Sequence, residues 1–389
     1  MCKINDKNGC ILICLSYQMS HAIPIINYIR KQNYKRIFYG DELLKDFIEK
    51  KGETFIVCNN SEIKKLLYYR KKLKIKKFQQ VYKEVHQQLE RIINRESIKH
   101  IFCDISRYML YAPIAVNKGV PLTIYWTYNG PTNFNLSCPP QTSFGVIGNL
   151  KFLILLSWLK QFFKGEILSK KVFYYFFYPY NQIIKIKNLK KLRYSIDGFF
   201  LDTEKLICGE QLYNNYSASD TKYTGILLDK YSYHEKSEFI NEKKINIYIS
   251  FGTNNIRYKN CKKIFIYILE NIKKHDKNQK VNIVLNYGNI EKEELKIFQE
   301  YSSIKIVNNI NQQLLIKDVD VVIFHGGFGT MKECIYYKKR MIAIPFIYDQ
   351  MSNAMLLEKK GLGICIKPRK VFKTNFYCAI MNNIENKQQ

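Results

Sequence analysis

An α/β protein with two parallel-sheet domains facing across a cleft is the fold class this sequence predicts, and three observations predict it. Short apolar runs of strand length alternate with longer stretches of helical periodicity. The alternation occurs twice, from residue 10 to 126 and again from 245 to 344, with a turn-rich, aromatic and basic interval between. At 389 residues, 47% of them hydrophobic, the chain is long enough to bury two cores.

The first series is read as follows. Residues 10–15 form a buried strand, and 23–31 a helix opened by Pro24 near its first turn. Residues 36–39 are the next strand, and 41–50 a helix closed by Gly52. A third strand is expected at 55–57, a long charged helix over 64–95, and further strands at 100–104 and 121–126. His86, on a face of the long helix, is expected at the surface. Residues 152–194, within an insert of about 130–200, read either as surface helices with an apolar face or as a membrane-facing or acceptor-binding element. Polar residues 229–244 read as a linker. Beyond it, strands are expected at 245–250, 281–285, 304–307, 319–324 and 341–344, with a helix over 262–272. The organisation is therefore two Rossmann-like domains, 1–228 and 245–389.

Charge and cysteine content narrow the class of function. There are 62 Lys+Arg against 33 Asp+Glu, a formal net charge of +29. A basic surface concentrates polyanions such as nucleotide diphosphates or anionic headgroups. The excess of Tyr and Phe (30 and 24) over Gly and Pro (18 and 9) also fits drift toward AT-rich codons. No recognised nucleic-acid module accompanies the charge, so no nucleic-acid partner is expected. The 11 Cys are scattered with no CxxC pair, which argues against a zinc ribbon and fits reduced thiols in a cytoplasmic protein. The apolar run 152–163 is interrupted by Lys160 and falls short of the roughly 20 residues of a spanning helix, so contact with a membrane would be peripheral.

The sharpest local pattern is Val321-Val322-Ile323-Phe324-His325-Gly326-Gly327-Phe328-Gly329-Thr330, a buried strand running into a Gly-rich turn and a helix beginning near Thr330. Such a turn lies at the carboxyl edge of a parallel sheet, where glycines let an anion approach the backbone and the helix N-terminus offers free N–H groups. His325 can add a hydrogen bond to phosphate. Glu333 lies one helical turn beyond Thr330, placed for a diol such as ribose. Asp349-Gln350, after the strand that ends before Pro345, offer donors and acceptors for sugar hydroxyls. A dinucleotide oxidoreductase is excluded, since residues 16–24 after the first strand contain no glycine.

The run HGGFGTMKECIYYKKRMIAIPFIYDQMSNAMLLEKKGLGI resembles the donor-binding signature of the UDP-glycosyltransferase superfamily, especially its bacterial macrolide-type branch, over residues 309–366. Gln312 stands where that family has its Pro-Gln, and Asp320 matches the acidic residue before the strand. Ser20-His21-Ala22-Ile23-Pro24 resembles the segment carrying the family's catalytic His, Asp104 its acidic partner, and Ser250-Phe251-Gly252-Thr253 the second phosphate-contacting loop. The resemblance implies the GT-B fold and inverting, metal-independent transfer from a UDP-sugar to an acceptor hydroxyl, with no cofactor beyond the donor. It implies His21 as general base with Asp104 behind it. It implies His325, Gly327, Gly329, Thr330, Ser250, Gly252 and Thr253 at the diphosphate, Glu333 on ribose, Gln312 elsewhere in the donor site, and Asp349 and Gln350 on the sugar. The basic, aromatic insert favours a small apolar or lipid-like acceptor and a cytoplasmic protein that touches the inner membrane face peripherally.

Three features depart from the family pattern. Lys338 and Arg340 replace a Gly and a Pro, Asn309 replaces an aromatic residue that stacks on the base, and the tail after Gly363 is short. They keep an alternative open, a catalytically degenerate nucleotide-sugar-binding protein or subunit.

Overall fold

The computed structural model describes residues 9–15, 19–58, 74–127, 204–211, 221–228, 236–252, 255–288, 300–308, 310–347 and 349–385, with isolated positions between them. The insert expected at about 130–200, Thr253 and Asn309 lie outside the described residues or almost wholly so. The described residues form two compact units, which meet in sequence between Leu227 and Leu228.

The first unit is a parallel sheet of seven strands in the order β3-β2-β1-β4-β5-β6-β7. These are β1 (Cys10–Cys14), β2 (Lys35–Gly40), β3 (Thr54–Val57), β4 (Ile98–Asp104), β5 (Leu122–Trp126), β6 (Glu204–Ile207) and β7 (Thr221–Tyr223). Because β1 is covered on both faces, it is apolar throughout rather than alternating. Ile11 and Ile13 pack toward Ala22, Ile25, Ile26 and Ile29 of α1 (Met19–Arg30). Leu12 packs on the other side, with Tyr82, Val85 and Leu89 of α3 (Ile75–Arg95) and Ile114 and Ala115 of α4 (Tyr108–Asn117). Between β2 and β3 the short helix α2 (Lys45–Glu49) follows a 3₁₀ turn whose Leu43 N–H is capped by Asp41.

Two local expectations are corrected here. The helix after β1 begins at Met19, not near Pro24, so Pro24 lies inside it and His21 in its first turn. Proline is tolerated there because its missing N–H costs only one bond close to the N-terminus, that to the carbonyl of Ser20. His86 is buried, not on the surface. It lies beside the apolar stripe of α3, its ring against Tyr82 and Nε2 at 2.9 Å from the Leu110 carbonyl, and burial pushes its pKa down to about 4.

The second unit is a parallel sheet of six strands in the order β10-β9-β8-β11-β12-β13. Its strands are β8 (Ile245–Ser250), β9 (Val281–Asn286), β10 (Ile304–Val307), β11 (Val321–Phe324), β12 (Arg340–Ala343) and β13 (Gly363–Cys365). The helices are α5 (Cys261–His275), α6 (Gln312–Asp318), α7 (Phe328–Tyr336), α8 (Gln350–Lys359) and α9 (Phe376–Glu385). The segment after Gly363 thus carries a helix, docked where Phe376 and Ile380 share a core with Ile264, Phe265 and Ile268 of α5. Residues 236–244 are held against this sheet. The Ser237 N–H donates to Asp318, and Asn241 and Asn246 bond to each other.

Both sheets reverse their strand order between the first strand and the fourth. That is the switch point at which crevices open at the carboxyl edge of a doubly wound sheet. Each of the two strand-end motifs singled out from the sequence lies at one of these points.

Candidate functional site

At the first switch point, β1 and β4 are adjacent and parallel, with Cys14 opposite Cys103. Asp104 is therefore the last residue of β4 at the level where the chain leaves β1 for α1. The His21 Nδ1 lies 3.2 Å from Asp104 Oδ2. The other oxygen, Oδ1, accepts the Ser106 N–H at 2.8 Å. Asp104 thus caps the 3₁₀ turn that follows it and holds the imidazole at once. Its side chain is fully buried while His21 keeps 19% exposure. Burial raises the pKa of that carboxyl, but the charge and hydrogen bond of His21 and the bonds from Ser106 outweigh it and hold it below the usual value. An ionised, buried carboxylate on Nδ1 leaves proton transfer to Nε2 and stabilises an imidazolium there.

At the second switch point, β8 and β11 are adjacent, with Ser250 opposite Phe324. The chain leaving β8 passes Ser250 and Gly252, and the chain leaving β11 passes His325 and Gly327. The two glycines close on the imidazole. A Cβ at Gly252 would sit 2.9 Å from His325 Cε1, and one at Gly327 2.4 Å from Nε2. Gly329 is different, because a Cβ there would meet nothing within 4 Å. Helix α7 begins at Phe328, two residues earlier than expected, with Gly327 as an N-cap that has no side-chain bond. Its first N–H groups are therefore left for an anion.

His325 is a neutral group. Burial pushes its pKa down to about 4, against a smaller opposing effect from the Ser250 backbone. Its Nδ1 is buried without a hydrogen-bond partner among the described residues.

Glu333 and Gln312 are brought together, Gln312 Nε2 donating to Glu333 Oε2 at 2.6 Å and to Thr330 Oγ1 at 3.2 Å. Burial pushes the Glu333 carboxyl up to about 7, against the hydrogen bond from Gln312 and the charge of Lys332. Asp349 stands at the N-cap position of α8 without a side-chain cap bond, and Asn353 Nδ2 donates both to its Oδ2 at 2.9 Å and to the Gly326 carbonyl at 2.8 Å. The Gln350 side chain makes three bonds within the protein. Its Oε1 accepts from the N–H groups of Phe346 and Ile347, and its Nε2 donates to the Tyr258 hydroxyl. Gln350 therefore pins the loop that presents Asp349. Sequence reasoning missed Asn353, Asn286 and Tyr248 as members of the site. The one available signal was a polar-tipped tyrosine inside the apolar strand Ile245–Ser250. No group of three His, Cys, Asp or Glu side chains suited to a metal ion occurs among the described residues.

A profile of the Glycosyltransferase family 28 C-terminal domain matches residues 261–388, the unit that carries the Gly-rich turn. Among curated proteins, a putative UDP-glucuronosyltransferase of Caenorhabditis elegans is 24% identical over 147 residues, 37% of this chain and 28% of that protein. A UDP-glucuronosyltransferase 3A1 of Xenopus laevis is 36% identical over 73 residues, 18% of this chain and 14% of that protein. The second unit is thus similar to the C-terminal domain of glycosyltransferase family 28, and these two curated proteins that the chain resembles are UDP-glucuronosyltransferases. The matched segments span less than a third of these curated relatives. Solved structures extend the likeness of fold to nearly the whole chain. The glycotransferase of kitacinnamycin superposes with a TM-score of 0.72 at 13% identity, covering 98% of this chain and 92% of that one. The calicheamicin glycosyltransferase CalG4 gives 0.66 at 11%, covering 98% and 92%. At these identities the likeness shows the fold, the two parallel-sheet α/β domains of the GT-B class. No helix among the described residues is long and apolar enough to cross a membrane.

Proposed function

We propose that this protein is an inverting, metal-independent glycosyltransferase that moves a sugar from a UDP-sugar to an acceptor hydroxyl. The observation that carries the reading is the His21–Asp104 pair at the carboxyl end of β1 and β4. In the proposed reaction the acceptor oxygen attacks the anomeric carbon as His21 Nε2 takes its proton, and the bond from that carbon to the diphosphate breaks. Attack from the face opposite the leaving group inverts the configuration. Asp104 stabilises the imidazolium, and the proton later leaves to solvent.

The departing UDP gains negative charge, and the second switch point suits it. The α7 N-terminus, Ser250, the Gly252–Thr253 loop and a neutral, donating His325 bind the diphosphate. Glu333 accepts from the ribose diol, and Asp349 accepts from sugar hydroxyls. A spinosyn rhamnosyltransferase of the same fold is known in complex with thymidine diphosphate and with its aglycone. By analogy the acceptor here is a small apolar or lipid-like molecule. The ribose role of Glu333 favours a ribonucleotide over a deoxyribonucleotide. The chain's charge of +29 supports a cytoplasmic protein in peripheral contact with anionic membranes.

The test is calorimetric titration with UDP, UDP-glucose, UDP-GlcNAc and dTDP, beside a His325→Ala, Glu333→Ala double variant. Micromolar binding of a uridine nucleotide, lost in the variant, supports the donor site, and acceptor screening with a His21→Ala control follows. Binding without turnover of any acceptor supports the degenerate alternative. A folded protein that binds no uridine nucleotide overturns the reading.

A further inference from the structure

Four side chains behind the donor site form a directed hydrogen-bond chain. It starts at a backbone donor: the Gly288 N–H gives to Asn286 Oδ1 at 3.1 Å. That bond fixes the amide, so Asn286 Nδ2 faces the Tyr248 hydroxyl and donates to it at 3.3 Å. Tyr248 in turn donates to Gln312 Oε1 at 3.2 Å, and Gln312 Nε2 donates to Glu333 Oε2 at 2.6 Å.

The polarity of every link follows from the one before it. With Asn286 donating to the phenol oxygen, the single phenol proton goes to Gln312 Oε1. The ring is fully buried, and burial pushes the phenol pKa up to about 12, so that proton is not lost at neutral pH. Were the Gln312 amide turned over, its oxygen would lie 2.6 Å from the Glu333 oxygen, a contact that only a protonated carboxyl could satisfy. A chain anchored on a backbone N–H therefore holds the carboxyl as an acceptor through Oε2.

We propose that Tyr248 and Asn286 are positioning residues that orient Gln312 and thereby hold Glu333 ready to accept the ribose hydroxyls of the nucleotide. The inference rests on the donor-site reading above and deepens it. Neither residue touches the ligand in this scheme. Their effect is specific to the diol, which separates them from residues that merely stabilise the sheet.

The experiment compares the affinities of UDP and 2′,3′-dideoxy-UDP for the full chain. The wild type prefers UDP by roughly 10- to 100-fold, the range of a hydrogen bond to a charged group. Tyr248→Phe keeps the ring and removes the hydroxyl, and it shrinks that ratio by about fivefold, the scale of one neutral hydrogen bond. In a Glu333→Ala background the same substitution leaves the ratio unchanged. Asn286→Asp offers an acceptor where a donor stood, draws the phenol proton away from Gln312 and lowers the ratio in the same way, which serves if Tyr248→Phe folds poorly. Wild-type ratios in both variants overturn the inference while leaving the donor site intact. A fall in affinity for both nucleotides alike also overturns it, because that marks a general structural role. No binding of UDP by the wild-type protein removes the donor-site reading and this inference together.

Discussion

The two histidines at the two switch points make an instructive pair. His21 and His325 each follow a strand of a parallel sheet, one in the first turn of a helix and one in a Gly-rich turn. His21 has a buried carboxylate on Nδ1 at 3.2 Å and keeps part of its ring exposed. His325 is closed between Gly252 and Gly327, and desolvation keeps it neutral with a pKa of about 4. A buried acid behind a histidine suits proton uptake, whereas desolvation without an acid suits hydrogen-bond donation to an anion. The partner, not the residue type, decides the chemistry.

The comparison breaks most sharply in turnover. His21→Ala is expected to lower kcat roughly 100- to 10,000-fold, the scale of general-base catalysis, with UDP affinity unchanged in titration. His325→Ala is expected to do the reverse to the binding step, weakening UDP by roughly 10- to 100-fold as one bond to a charged diphosphate is lost. Equal effects of the two variants on UDP affinity would show that the histidines do not divide the work in this way.

The pH dependence of stability separates the buried groups. His86, His100 and His325 all have pKa values lowered to about 4 by burial from an ordinary 6.5. Between about pH 4 and 6.5 the unfolded chain binds more protons at these sites, so they contribute stability that rises with pH across that window and is full above it. Glu333, raised from 4.5 to about 7, acts in the opposite sense, and its contribution falls as pH rises from 4.5 to 7. Thermal unfolding of Glu333→Gln against wild type is expected to show an advantage for the variant that grows over that window. A difference independent of pH would mean that Glu333 does not titrate there.

The smallest expected effect concerns Gly329. Nothing in the fold requires glycine at this helical position, where Ala is favoured by about 0.5–1 kcal/mol. Gly329→Ala is expected to raise stability by up to that amount and to weaken UDP binding, because the added methyl occupies the space an anion needs. A variant that is more stable and binds UDP as well as wild type would remove Gly329 from the donor site.

Much of the architecture was legible because parallel strands covered on both faces read as apolar runs. The strands at residues 245–250 and 304–307 were placed to the residue. The strands Glu204–Ile207 and Thr221–Tyr223 were missed because Lys205, fully buried, and Lys222 break the apolar pattern. His86 was misplaced because helical periodicity identifies the centre of a buried stripe better than its margins. Pro24 was taken as a helix start because proline is commonest there, while the helix already held His21.

The sequence by itself determined the two series of α/β units, the order of the strand-end motifs and the family they resemble. Those depend on local periodicity and on glycine and histidine spacing, which neighbouring residues encode. Only the tertiary structure decided that Asp104 serves both as a cap and as the partner of His21, 83 residues away in the chain. It alone showed Gln350 spent on its own loop and Tyr248 joined to Glu333 through Gln312. Hydrogen-bond partners and desolvation arise from segments folded against one another, and a chain written in order holds no local trace of them.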